Sequence, residues 1–176
     1  MVRMNWTKTF TMPVVSNTSP ILNLAIIDRL DLLKGQFGCV YIPDLVLKEL
    51  RIHEELPGSA KIRAAVDEGW LRAQPIDDAS FARVLALQLD AGEAEAIALA
   101  VQLKADRLLL DESDARRIAR ALDIPTTGVI GILMRHYQDD VQALRQELEQ
   151  LRTEANFHLS SHLLETLTGR LRHNNP

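Results

Sequence analysis

The sequence predicts an α/β protein with a three-layer α/β/α fold and a central parallel sheet. Short β-rich runs alternate with helix-periodic segments along the chain, which is typical of strand–helix–strand units. Two runs, residues 14–15 and 108–110, are continuously apolar, as expected for strands buried on both faces of a parallel sheet. The chain has 176 residues, which is long enough for one domain with a sizeable core.

Composition and charge limit the class of protein. Apolar residues make up 47% of the chain and charged residues 25%, the balance of a globular protein in water. No apolar run is long enough to span a bilayer and no secretory signal peptide is visible, so we expect a cytoplasmic protein without a membrane partner. The single cysteine, Cys39, excludes a disulfide scaffold. The net charge of -4 argues against a nucleic-acid coat protein but not against a nuclease, because metal-binding carboxylates add negative charge.

We expect one domain over residues 13–168, with an N-terminal extension over residues 1–12 and a polar tail over residues 169–176. The extension shows no clear periodicity, and the core is expected to begin at Pro13. No internal repeat or low-complexity segment interrupts this organisation.

The first predicted strand, Val14-Val15, ends in a polar turn that can carry chemistry. An apolar, helix-periodic segment follows the turn and runs to Leu33. Thr18 and Ser19 can cap this helix, and proline suits its first turn. Ligands of an open parallel sheet bind at the carboxyl ends of its strands, so we expect a site at this turn.

The later elements are predicted from the same two periodicities. Short β-rich runs predict strands over residues 38–42, 70–76, 107–111 and 124–128. Apolar residues at helical spacing predict helices over residues 43–50, 59–66, 129–137 and 140–151. Gly92 is expected to separate two more helical patterns, one over residues 93–101 and one with an apolar face formed by Phe81, Val84, Leu85 and Leu89. A last helix is expected from Ser160 or Ser161.

Carboxylates fall inside two of these helices. Glu49 is either a solvated side chain or a carboxylate directed at the turn after the first strand. Glu93 and Glu95 lie in a first helical turn, where the helix dipole alone favours acids by about 0.3–1 kcal/mol each. Because residues two apart diverge by roughly 200° around a helix, one of this pair can face the site while the other does not.

A second acidic group follows the strand at residues 107–111. Asp111, Glu112 and Asp114 repel one another, which raises the cost of ionisation unless a cation or a helix dipole relieves it. Asp114 is also a candidate helix cap. Three arginines come next, and they form either a basic rim beside the acids or a solvated face with ion pairs: Arg116, Arg117 and Arg120.

Other chemistries have weaker support. The chain has no glycine-rich phosphate loop. His158 and His162 share a helical spacing but have no third zinc ligand, and a nucleophile at Ser16 or Ser19 has no evident histidine partner. The oxygen donors that remain are those that Mg²⁺ or Mn²⁺ prefer: Asn17, Glu49, Glu93, Asp111 and Asp114. A site of this kind activates water and stabilises the charge that develops on a phosphodiester during hydrolysis.

The ordered set of motifs resembles the PIN-domain family and, more narrowly, its DUF3368 branch. The similar segments are residues 16–20 (SNTSP), Glu49, residues 92–100 (GEAEAIALA), residues 110–117 (LDESDARR), residues 127–133 (TGVIGIL) and residues 157–160 (FHLS). The resemblance covers about residues 13–168. It implies a PIN-like α/β/α fold and a ribonuclease that depends on Mg²⁺ or Mn²⁺. Many relatives are toxins of VapC-type toxin–antitoxin pairs, usually dimeric and silenced by a small antitoxin protein.

The resemblance also assigns roles to residues. It places the family's four acids on Asn17, Glu49, Glu93 and Asp111, with Asp114 as an accessory acid and Ser19 as a hydroxyl that supports the ligands from behind. Glu93 is preferred over Glu95 because the step of eighteen residues from Glu93 to Asp111 is similar to the family's. The departure from the family is at Asn17, where PIN nucleases generally carry Asp.

Asn17 leaves two main hypotheses open. The amide offers a carbonyl oxygen but no negative charge, so a hard divalent cation should bind more weakly. The first hypothesis is a metal-dependent endoribonuclease in which Asp111, Glu93 and Glu49 hold the ion and orient water. The second is a catalytically weakened PIN-like module that binds RNA or a protein partner without cleaving it. A phosphatase-like hydrolase of small phosphoesters is a third alternative.

Partners follow from the same resemblance. The three arginines at 116, 117 and 120 can contact RNA phosphates, which position a substrate without reading its sequence. The leucine-rich C-terminal helices are expected to pack on the sheet by default. A homodimer and a small antitoxin are the protein partners that the resemblance implies.

Overall fold

A computed structural model of the protein describes residues 13–160 and Thr166. In this part of the chain five short strands form one sheet: β1 (Val14–Ser16), β2 (Val40–Ile42), β3 (Leu71–Ala73), β4 (Arg107–Leu109) and β5 (Thr126–Thr127). The strand order is β3-β2-β1-β4-β5, and every pair is parallel. The predicted central parallel sheet is therefore confirmed.

Helices connect the strands throughout the described residues. Their bounds are α1 (Thr18–Ile26), α2 (Asp31–Phe37), α3 (Asp44–Glu49), α4 (Ser59–Asp67), α5 (Ala79–Leu85), α6 (Ala91–Gln102), α7 (Ser113–Ala121), α8 (Val129–His136) and α9 (Val141–Glu154). None of the helices in the described residues is long and apolar enough to cross a membrane.

Two hydrophobic cores lie on opposite faces of the sheet. Alternate strand residues point to opposite faces, so Val14 and Leu109 join one core while Val15 and Leu108 join the other. The first core also contains apolar residues of α1, α2, α3, α4, α8 and α9. The second contains residues of α6 and α7, with Leu85 of α5 packed against it. This arrangement confirms the three-layer α/β/α fold.

The strand order reverses between β1 and β4. From β1 the chain moves outward to β2 and β3, and it then returns to place β4 on the other side of β1. Ser16 pairs with Leu109 at the carboxyl ends of these two central strands. Such a reversal opens a crevice beyond the strand ends, which is where ligands of open α/β sheets bind.

The helix predicted to run to Leu33 is divided in two. Helix α1 ends at Ile26, and Asp28 takes a left-handed conformation with φ of 61°. The backbone N–H groups of Asp28 and Arg29 donate to the carbonyls of Ala25 and Leu24, which is the hydrogen-bond pattern of a Schellman cap. Asp tolerates this backbone conformation better than most residues, so the helix can end here without a glycine. The break was not predicted because the apolar periodicity continues past it.

Gly92 does not separate two helices, which corrects that prediction. It lies inside the first turn of α6, which begins at Ala91 and is capped by Asp90. Asp90 and Glu93 form a capping box, in which each side chain accepts a hydrogen bond from the other's backbone N–H. The box fixes the start of the helix before the glycine.

Smaller expectations were also wrong. Asn17, rather than Thr18 or Ser19, is the N-cap residue of α1. Val84 was predicted on a buried face of α5 but is 62% exposed, and the buried residue of that helix is Ala82. Glu112 rather than Asp114 is the N-cap residue of α7. The strand predicted over residues 70–76 is only β3. The proposed extension over residues 1–12, the polar tail over residues 169–176 and the last predicted helix lie outside the described residues, apart from Ser160 and Thr166.

Candidate active site

Asn17 lies directly after β1, at the edge where the two central strands end. Its backbone N–H donates to the carbonyl of Leu109 over 3.1 Å, and its side chain makes no capping hydrogen bond to α1. The residue is 4% exposed, and Oδ1 has no hydrogen-bond partner among the described residues. Leaving a buried oxygen unpaired costs about 1–3 kcal/mol, so a ligand with positive charge would stabilise this atom.

Glu49 is held between α1 and α6. It is the last residue of α3, and the Thr18 hydroxyl at the start of α1 donates to its Oε2. Its carboxylate lies against Gly92, because a β-carbon built on that glycine would come within 2.6 Å of Oε2. The carboxylate therefore sits beside the turn of α6 that carries Glu93.

Glu93 is a buried carboxylate with one free oxygen. Its Oε2 accepts from the backbone N–H of Asp90 over 3.2 Å, whereas Oε1 has no partner among the described residues. Only 5% of the residue is exposed. Burial raises the pKa of Glu93, and the negative charges of Asp90, Glu112 and Asp114 raise it further. A bound cation would offset this repulsion.

Asp111, two residues beyond the end of β4, is fixed by contacts to two helices. Its Oδ1 accepts from the backbone N–H of Val129 over 2.8 Å, and its Oδ2 accepts from Asn23 Nδ2 over 3.4 Å. Burial raises the pKa of Asp111, while the Val129 N–H, the Arg116 charge and hydrogen bonds from Ser19 and Asn23 oppose that shift. Asn23 Nδ2 also lies 3.3 Å from Ser19 Oγ, so α1 orients this carboxylate.

Arg116 is partly buried, and its guanidinium contacts the protein. Its Nε donates to the carbonyl of Leu110 over 2.8 Å, and its Nη2 lies in the space beside Gly128 where a β-carbon would project. A β-carbon on Gly128 would also come within 2.6 Å of Asp111 Oδ1. The positive charge of Arg116 therefore lies beside Asp111 and favours its ionised form.

Three more predicted residues lie on the exposed side of α7: Asp114, Arg117 and Arg120. Asp114 and Arg117 form an exposed ion pair with an N–O distance of 3.5 Å. Such pairs are worth about 0–1 kcal/mol, so Asp114 is free to turn towards a ligand. Arg120 is exposed one turn further along the helix.

The donor chemistry fits a hard divalent cation, although the side chains do not form a closed metal cage. Among the described residues, no group of three or more His, Cys, Asp or Glu side chains is close enough to hold a metal ion. Carboxylates repel one another without a cation, and Asn17, the first of the predicted ligands, carries an amide instead of a carboxylate. Asn17 Oδ1 and Glu93 Oε1, which are buried without partners among the described residues, are nevertheless hard donors of the kind that Mg²⁺ and Mn²⁺ accept.

Sequence reasoning missed three residues that shape this site. Asn23 contacts Asp111, Thr18 contacts Glu49, and Gly128 leaves room for Asp111 and Arg116. Asn23 had a detectable signal, since it lies four residues after Ser19 and therefore on the same face of α1. The contacts of Thr18 and Gly128 depend on distant elements and had no local signal.

Comparison with known families shows which family the protein belongs to. The sequence matches the family DUF3368, described as a PIN domain, across residues 13–172. Comparison with curated protein sequences found no match. PIN domains are in general nucleases that use divalent metal ions. Because the match spans nearly all of the chain, this protein belongs to the DUF3368 branch of the PIN-domain family.

Proposed function

We propose that this protein is an endoribonuclease that hydrolyses RNA phosphodiesters with Mg²⁺ or Mn²⁺. The observation that carries the proposal is that Asn17, at the reversal of strand order, and Glu93, in the first turn of α6, each hold a buried oxygen without a partner among the described residues. Asp111 follows the neighbouring strand, and Glu49 lies against the first turn of α6. An oxygen-rich crevice of this kind suits metal-assisted phosphoryl chemistry.

Asp111, Glu93 and Glu49 would hold the metal, with Asn17 as a neutral donor and Asp114 as an accessory acid. When bound, the ion would lower the pKa of water and stabilise charge on the phosphodiester. The chain's own contribution is to orient the donors. Asn23 and the Ser19 hydroxyl fix Asp111, and Thr18 fixes Glu49.

The arginines of α7 have two different roles in this proposal. Arg117 and Arg120 are exposed and would contact RNA phosphates, which position the substrate without specifying its sequence. Arg116, bonded to the Leu110 carbonyl, would act at the phosphate nearest Asp111 while balancing that carboxylate.

The family resemblance supports a cytoplasmic toxin of a toxin–antitoxin pair. In that role the protein would form a homodimer and would be silenced by a small antitoxin protein. Light scattering of the full chain tests the dimer, and a monomer at micromolar concentration would contradict it.

The function is tested by cleavage of a structured RNA with Mn²⁺ or Mg²⁺. The native protein is expected to cut only with metal, and Asp111→Asn is expected to lower the rate by about 10²-fold, since a charged ligand is lost. Asp67→Asn, the same change at an exposed position on α4, serves as the control. Cleavage that persists in Asp111→Asn would contradict the assignment.

Asn17 supports a second candidate, a weakened PIN module that binds RNA or a protein without cutting. Asn17→Asp separates the two candidates. The added carboxylate is expected to tighten Mn²⁺ binding about tenfold and to lower metal-free stability by about 1–3 kcal/mol, because the new charge is buried. Calorimetric titration and urea unfolding with and without Mn²⁺ measure both effects.

The cleavage rate of Asn17→Asp then decides between the candidates. If the native protein cuts RNA and the Asn17→Asp variant cuts at a similar or higher rate, the result supports the nuclease. Cleavage seen only in the variant supports the weakened module.

A further inference from the structure

We propose that Gly92 and Thr18 are positioning residues that form a seat for the Glu49 carboxylate. In this proposal position 92 is glycine because the Glu49 carboxylate occupies the space that the β-carbon of any other residue at position 92 would need. The inference rests on the proposed function, in which Glu49 is a metal ligand. We call Gly92 and Thr18 together the Glu49 seat.

The geometry of the Glu49 seat is specific. A β-carbon on Gly92 would lie 2.6 Å from Glu49 Oε2, 2.7 Å from Oε1 and 3.0 Å from Cδ. These three nearest atoms all belong to one carboxylate, so the glycine makes room for that group. The Thr18 hydroxyl donates to Oε2 of the same carboxylate. Two elements that are distant in the chain, α1 and α6, thus hold the end of α3.

Gly92 has no other evident reason to be glycine. It lies inside α6 and its φ is not positive, so its backbone conformation does not require glycine. Glycine is a poorer helix former than alanine, so the position carries a local cost. The first turn of α6 also presents the positive end of a helix dipole to Glu49, which favours a carboxylate there.

A methyl group at position 92 would move the carboxylate rather than the backbone. Glu49 is exposed, so its side chain has room to rotate away from the new methyl group. The backbone of α6 would keep its place, and its gain in helix propensity would at least offset the loss of the Thr18–Glu49 hydrogen bond. Fold stability and metal binding are therefore expected to change in opposite directions.

The first experiment compares Gly92→Ala with Gly35→Ala. Gly35 is also helical, in α2, and nothing lies within 4 Å of its added β-carbon. Gly92→Ala is expected to unfold at the same or a higher temperature than the native protein and to bind Mn²⁺ about tenfold more weakly by calorimetry. Gly35→Ala is expected to keep native Mn²⁺ affinity. Native Mn²⁺ affinity in Gly92→Ala would overturn the inference.

A second experiment tests the Glu49 seat even if the native protein neither binds Mn²⁺ nor cuts RNA. Thr18→Val removes the hydroxyl and keeps the shape of the side chain. It is expected to lower the urea midpoint when position 92 is glycine, and to have no effect in the Gly92→Ala background, where Glu49 has already moved. Equal losses in both backgrounds would overturn the seat. Failure of the native protein to bind Mn²⁺ or cut RNA would count against the proposed function alone.

Discussion

Replacing Glu93 with glutamine is expected to stabilise the metal-free protein and to slow the proposed cleavage of RNA. Glutamine can keep the capping box, because its amide oxygen accepts from the Asp90 N–H as the carboxylate does. It removes a buried charge that lies among Asp90, Glu112 and Asp114. We expect a gain of about 0.5–2 kcal/mol in the free energy of unfolding and a loss of about 10²-fold in rate.

The gain in stability depends on pH in a direction that the pKa shift fixes. Because burial raises the pKa of Glu93 in the folded state, the folded protein holds this proton more tightly than the unfolded chain does. The contribution of Glu93 to stability is therefore greatest below the ordinary glutamate pKa of about 4.3 and is lost as the pH rises through the raised pKa. The higher stability of Glu93→Gln should therefore develop as the pH rises above about 4.3 and through the raised pKa of Glu93.

Urea unfolding in the presence of a chelator, followed across that pH range, measures the effect. Glu95→Gln is the matched control, since Glu95 lies on the same helix but is only partly buried. A pH-independent difference between Glu93→Gln and the native protein would contradict the electrostatic explanation. Loss of cleavage in Glu95→Gln instead of Glu93→Gln would reassign the third acid.

Replacing Gly128 with alanine is expected to lower both stability and activity. The glycine backbone, with φ of -112° and ψ of -179°, is extended and open to any residue, so the constraint is space. A β-carbon would lie 2.6 Å from Asp111 Oδ1 and 2.9 Å from the Leu110 carbonyl oxygen, and it would also meet Arg116 Nη2. The Leu110 oxygen is backbone and cannot move aside alone. We expect a cost of about 1–3 kcal/mol and about 10²-fold in rate, because Asp111 is displaced.

Thermal unfolding and single-turnover cleavage measure the two effects of Gly128→Ala. Gly131→Ala on α8 is the control, since its β-carbon would make ordinary contacts of 3.6 and 3.8 Å with Thr127. Native stability and rate in Gly128→Ala would mean that the contacts of Asp111 and Arg116 with this glycine do not hold the site together.

The sequence by itself determined the layered fold and the order of its elements. Continuous apolar runs mark β1 and β4 as strands buried on both faces, and the turns after them carry Asn17 and Asp111. These are local properties, since hydrophobic periodicity reports how one element is buried. The same local signals failed at two places. At Asp28 a C-terminal cap ends the helix although the apolar pattern continues, and at Gly92 a capping box starts the helix before the glycine.

Only the tertiary structure decided how the candidate site is assembled. Asn23 reaches Asp111 across 88 residues of sequence, and Thr18 reaches Glu49 across 31. The sequence shows that Asn17 supplies no charge, but only packing shows that its Oδ1 is buried without a partner among the described residues. Periodicity assigns a residue to the face of its own helix or strand. The distance between two such faces depends on how the elements pack, and that packing places Glu49 against Gly92 and Arg116 beside Asp111.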